Sequence, residues 1–61
     1  MTSLIIRTKD QFGYLYDEFG YLISTHCFTE YRITGNAENI VKFYLGDKYS
    51  GRVSADSVRV V

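Results

Sequence analysis

The chain lacks most of the devices that staple a very small domain together or equip it for chemistry. One cysteine, Cys27, excludes an internal disulfide, and one histidine, His26, cannot complete a structural zinc site. Net charge is missing too. Seven basic residues balance seven acidic ones, so no overall field draws the chain to nucleic acid or an anionic membrane, and binding to either needs a local patch. No apolar run approaches the ~18 residues of a membrane span, and the start, M-T-S-L-I-I-R-T, is too short and too soon charged for a signal peptide. These absences predict a soluble protein without membrane contact, in a reducing cytoplasm where a lone thiol persists.

What remains is one domain. Nothing in the 61 residues reads as a linker, repeat or low-complexity tract, so residues 1–61 are expected to fold as a unit. A core of that size supplies about 3–5 kcal/mol net, so either its packing is economical or a partner adds stability.

Short strand patterns fill the chain. Ser3 to Thr8 (S-L-I-I-R-T) is β-branched and reads as a first strand. Tyr14 to Ile23 (Y-L-Y-D-E-F-G-Y-L-I) reads as a hairpin closed by Asp17, Glu18, Phe19 and Gly20, the glycine supplying a positive φ. That register sets Tyr16 opposite Tyr21, Leu15 opposite Leu22 and Tyr14 opposite Ile23. One face then carries Tyr14, Tyr16, Tyr21 and Ile23, and the other carries Leu15 and Leu22 for the core.

Phe28 to Thr34 alternates as a strand, with Phe28, Glu30 and Arg32 on one side and Thr29, Tyr31 and Ile33 on the other. Ile40 to Leu45 (I-V-K-F-Y-L) has two readings. As a strand it places Val41, Phe43 and Leu45 inward and Ile40, Lys42 and Tyr44 outward. As a helix over residues 37–45 it takes Asn36 as its cap and Gly46 as its stop, which would make the fold α+β. Its shortness and its β-branched and aromatic content favour the strand. A turn at Gly46 to Lys48, a strand at Tyr49 to Val53, one 3₁₀ turn over Ser54 to Ser57 and a closing strand from Val58 complete the chain. The expected fold is all-β: a small barrel of five short strands with a long first hairpin loop.

That order of elements resembles the Src-homology-three-like barrel. Gly51 to Val58 (G-R-V-S-A-D-S-V) falls where such domains have a glycine, a strand end, a one-turn helix and a valine opening the last strand, and Tyr14 to Asp17 (Y-L-Y-D) is similar to the tyrosine motif of the peptide-binding members. Those members wall their groove with a tryptophan and a proline. This chain has neither, and Ser54 stands where the proline would be, so proline-rich ligands are not expected. Relatives of the barrel without the groove motif bind proteins or nucleic acids, and fold alone does not choose between them.

The chemistry-bearing residues point away from catalysis. His26 and Cys27 are neighbours in a strand and face opposite ways, which does not make a thiolate–imidazole pair. The carboxylates sit in turns or on solvent faces, without the cleft that acid–base work requires, and the glycines are isolated turn residues with no phosphate-cradling pattern. No enzyme activity, small-molecule substrate, metal or cofactor is expected.

Tyrosine is the strongest signal, since it buries area at low rotamer cost and keeps a polar tip. The leading expectation is a non-enzymatic protein–protein interaction module that docks on a partner or on itself through Tyr14, Tyr16, Asp17, Glu18, Phe19 and Tyr21. Free-standing domains of this size include phage and mobile-element proteins that dock on host proteins. The competing expectation is a nucleic-acid-binding barrel. Arg32, Lys42 and Arg52 fall on outward positions of three consecutive strands, with Tyr44 among them, and Glu30 on the same face could pair with Lys42 and neutralise the stripe.

Overall fold

The structure is a computed structural model, and it describes residues 1–34 and 39–61. The all-β class holds. Among the described residues there are seven strands: β1 (Ser3–Arg7), β2 (Phe12–Tyr16), β3 (Leu22–Cys27), β4 (Glu30–Thr34), β5 (Ile40–Leu45), β6 (Lys48–Ser54) and β7 (Ser57–Val60). They form a four-stranded sheet in the order β3-β2-β1-β7 and a three-stranded sheet in the order β4-β5-β6. The five-stranded barrel is therefore corrected to an open pair of sheets, because the long first hairpin is itself two paired strands, β2 and β3. Residues 40–45 are strand, which decides against a helix there, while residues 37 and 38 of that alternative lie outside the described residues.

β1 is the axle of the larger sheet. It runs antiparallel to β2 and parallel to β7, with Leu4 flanked by Leu15 and Val58, and Ile6 flanked by Gly13 and Val60. Alternation turns these residues to one face. On the smaller sheet, Tyr31, Phe43 and Gly51 form one cross-strand row and Ile33, Val41 and Val53 the next. Leu4, Ile6, Phe28, Val41, Phe43, Val53 and Ala55 are buried between the sheets, with Leu15, Tyr31 and Val58 packed against them.

Two corners carry the chain from sheet to sheet. At Phe28–Thr29 the Phe28 N–H donates to Gln11, in the turn just before β2 (3.1 Å), and the Thr29 N–H to Tyr44 of the second sheet (2.8 Å), so Phe28 drops into the core instead of sharing a face with Glu30 and Arg32. At Ala55–Asp56 the Ala55 N–H donates to Asn39 and the Asp56 N–H to Thr2 (3.0 and 3.1 Å). This bend replaces the expected 3₁₀ turn. The Asp56 carboxylate is held by the Thr2 N–H at 2.6 Å, and that bond lowers its pKa below the ordinary 3.8. It fastens the start of β1 to the corner beside β7.

Phe43 is the centre of the core. Its ring stacks on His26 (centroids 5.4 Å apart, planes within 3°) and on Phe28 (5.5 Å, 27°), and Phe28 meets Tyr31 edge-on at 5.3 Å. Glycine at position 13, a residue that ordinarily weakens a strand, makes room for that ring. A Cβ there would sit 2.8 Å from Phe43 Cζ and 3.2 Å from Cε1. Gly13→Ala is accordingly expected to destabilise the fold by about 1–3 kcal/mol through overpacking, read as a lower urea midpoint with an unchanged slope.

Candidate functional site

The β2–β3 hairpin is built by one aspartate. Asp17 Oδ1 accepts from the Phe19 and Tyr21 N–H groups, both at 2.9 Å, while the Asp17 N–H donates to Tyr21 O and the Gly20 N–H to Asp17 O. Gly20 takes the positive φ the sequence reserved for it (87°). Asp17 is thus occupied in holding the loop. Glu18 is exposed at the tip, 3.5 Å from the Met1 amino group, a surface contact that adds little.

The register differs from the expectation. Tyr14 faces Thr25 and Leu15 faces Ser24, but Tyr16 faces Leu22, because a bulge between Leu15 and Tyr16 leaves Ile23 as an extra residue. The expected pairs Tyr16–Tyr21, Leu15–Leu22 and Tyr14–Ile23 are all displaced. Leu15 packs on the core as anticipated; Leu22 does not, and both it and Ile23 are 52% exposed. Their neighbours Phe19 (77%) and Tyr21 (72%) stand almost free at the tip. Tyr14 and Tyr16 are half-buried on the outer face, next to Ile5 and Ser3 of β1, and Phe12 lies beside Tyr14 with ring centroids 6.1 Å apart.

The outcome is one apolar surface running from Phe12 along β2, round the tip and back along β3. From Phe19 to Phe28 the sequence holds no Asp, Glu, Lys or Arg at all. The sequence pointed to Tyr14, Tyr16, Asp17, Glu18, Phe19 and Tyr21, with Ile23 on the tyrosine face, and not to Phe12 or Leu22. The uncharged run was the available signal for Leu22, which a register without the bulge assigned to the core.

The second expected constellation also comes together. Arg32, Lys42 and Arg52 lie directly opposite one another across β4, β5 and β6, on the outer face of the smaller sheet. Like charges in one cross-strand row oppose folding. Glu30 does not pair with Lys42, as the sequence suggested; it faces Tyr44, and its carboxylate lies 3.8 Å from Arg32. A second bulge, between Phe43 and Tyr44, brings Tyr49 opposite Tyr44, where the rings meet edge-on at 5.7 Å, and the Arg32 guanidinium sits 5.8 Å from the Tyr44 ring centre. Tyr49 was missed because only that bulge aligns it with the row.

With both surfaces placed, the chain was compared with known proteins. No family model, curated protein or solved structure matches it. Its function is to be read from its own surfaces.

The remaining reactive residues are apart. His26 is half-buried against Phe43 and hydrogen bonded to the Ser24 hydroxyl at 3.0 Å, whereas Cys27 is exposed and pairs in register with Phe12. Among the described residues no three His, Cys, Asp or Glu side chains gather as a metal site, and no helix is long and apolar enough to cross a membrane. A shallow groove of about 470 Å³ beside β1 and β7 is lined by Ile5, Arg7, Lys9, Arg59 and Val61, with Arg7 already bound to Asp10 at 3.0 Å.

Burial lowers the His26 pKa from its ordinary 6.5. The unfolded imidazole takes up its proton at higher pH than the folded one. Stability is therefore highest above pH 6.5 and falls as pH drops below it, until the folded imidazole also protonates. Thermal melts between pH 7 and about 5 should show this decline, and His26→Gln should flatten it.

Proposed function

We propose that this chain is a non-enzymatic protein-docking module whose contact surface is the outer side and tip of the β2–β3 hairpin. The observation that carries this reading is the uncharged segment from Phe19 to Phe28, which places Phe19, Tyr21, Leu22 and Ile23 in solvent in a chain that is 23% charged as a whole. Apolar surface gathered in one place on a small domain favours a partner over water. Tyr14, Tyr16 and Phe12 extend it as rigid aromatic anchors, and Asp17 fixes the tip so that little ordering entropy is lost on contact. The open pair of sheets suits this reading, since the hairpin stands where the Src-homology-three-like barrel that the sequence resembles would have its long first loop. A reducing cytoplasm is the compartment in which the exposed Cys27 thiol would persist.

The test is a double substitution at exposed and half-exposed positions. Tyr16→Ser with Tyr21→Ser should keep the strand circular dichroism and lose capture of the protein partner from native lysate, with the wild-type capture nearly indifferent to salt. A variant that captures the same protein as well as wild type, and keeps the same oligomeric state, would defeat the reading.

A second reading has its own observation, the aligned row of Arg32, Lys42 and Arg52 beside the Tyr44–Tyr49 pair. We propose for this face single-stranded nucleic acid, with phosphates along the cations and bases on the tyrosines. Three phosphate contacts predict a log–log salt slope of about −2, reduced by about 0.7 in Lys42→Ala, measured by anisotropy of a labelled oligonucleotide. Absence of binding to DNA and RNA oligonucleotides at low salt removes this reading and leaves the first intact.

A further inference from the structure

The hairpin ends in a sheet edge, and the edge has a specific occupant. β3 is the outermost strand of the larger sheet, and among the described residues none of its backbone groups bonds beyond its ladder with β2. An open edge is a row of unmatched N–H and C=O groups, and the only surface that satisfies such a row in full is another strand. Proteins ordinarily guard such edges with charge or a bulge. The other three edge strands here follow that rule: β4 carries Glu30 and Arg32, β6 carries Lys48 and Arg52 with a bulge beside them, and β7 carries Arg59. β3 reads L-I-S-T-H-C and carries no Lys, Arg, Asp or Glu; its one bulge, at Ile23, leaves Ser24 to Cys27 as regular, uncharged edge.

We infer that β3 pairs antiparallel with β3 of a second copy of this chain, joining two four-stranded sheets into one continuous sheet across a two-fold axis. The inference rests on the docking role of the hairpin and names its occupant. Charge selects the second copy: two β3 edges meet without a fixed charge on either side, whereas self-pairing at β4, β6 or β7 would bring charged side chains into the new ladder. Size favours it too, since association is one way a chain this short, with no disulfide, gains stability.

The pleat then fixes the register. In a continuous sheet, residues directly opposite must point to the same face. Thr25 and Cys27 share the outer face with Tyr14 and Phe12, and Ser24 and His26 face the other way with Leu15 and Gly13. Pairing Ser24 with Thr25 would mix faces, so the axis must pass through a residue and not between two. The regular ladder beyond the bulge runs from Ser24 to Cys27, so the axis passes at Thr25 or His26; Thr25 is exposed on the outer face and has room for its counterpart, whereas His26 is stacked on Phe43. Thr25 therefore meets Thr25 of the second copy, Ser24 meets His26, and Ile23 meets Cys27. Leu22, Ile23 and Tyr21 of both copies come to lie beside this seam.

Sedimentation equilibrium of the full chain up to about 1 mM tests the association. Wild type should dimerise, and Thr25→Lys, which sets two ammonium groups face to face at the axis on an exposed position, should weaken the dimer at least about tenfold while leaving the melting curve of the diluted protein unchanged. The register is tested by oxidation. In a Cys27→Ser background, Thr25→Cys should form a covalent dimer readily, because directly opposed strand residues lie within the ~4.4–6.8 Å Cα separation of a disulfide, and Ser24→Cys should not. Wild type that stays monomeric throughout, a dimer indifferent to Thr25→Lys, or equal crosslinking at positions 24 and 25 each overturns the inference. Monomeric wild type that still captures a different protein through Tyr16 and Tyr21 overturns this pairing while sparing the docking role.

Discussion

One ring holds this molecule together. Phe43 projects from the middle strand of the smaller sheet into a gap that exists only because residue 13 of the larger sheet has no side chain. The two sheets share no closing strand, and the corners at Phe28–Thr29 and Ala55–Asp56 fix their ends but not their spacing. Contact between Phe43, Gly13, His26 and Phe28 sets that spacing. A core of seven buried apolar side chains has few others to share the task. The lone histidine is spent here as an aromatic surface, which is why burial works against its proton.

Because the core consumes one face of each sheet, everything else the protein can offer is on the two outer faces, and these differ in kind. The larger sheet shows aromatic and aliphatic groups at its β2–β3 end. The smaller sheet shows a row of cations and a pair of tyrosines. Overall neutrality conceals this division: among the described residues the acidic side chains lie in turns, at corners and at strand ends, and only Glu30 shares the cationic face. A carboxylate in that row would favour folding, and a lysine in β3 would guard its edge against association. The sequence does neither, so both surfaces depart from what a stable, solitary domain would select.

Period-two alternation made most of the architecture legible. It assigned Val41 and Phe43 inward, put Arg32, Lys42 and Arg52 on one face, and located the Asp17–Gly20 turn. It failed wherever the ladder slips by one residue. The bulges at Leu15/Tyr16 and Phe43/Tyr44 depend on cross-strand fit, which a single strand's pattern does not encode, and they account for the misplacement of Leu22 and Ile23 and for the neglect of Tyr49. Phe28 was assigned to a strand face because its apolar alternation continues into β4, while the bend that sends it inward is a matter of which sheet its N–H reaches. Leu45, expected inside, is exposed where β5 runs out past the edge of the core.

The pairing of β1 with β7 has a consequence in time. Ser3 to Ile6 find half of their backbone partners in residues 57–60, so β1 cannot be flanked on both sides until those residues, more than fifty positions later, have been synthesised. The β4–β5–β6 meander can assemble from neighbours, but β1 must wait beside β2 with one side bare. Contacts of such long sequence separation slow folding. In a growing polypeptide, β1 keeps that bare side until β7 has left the ribosome.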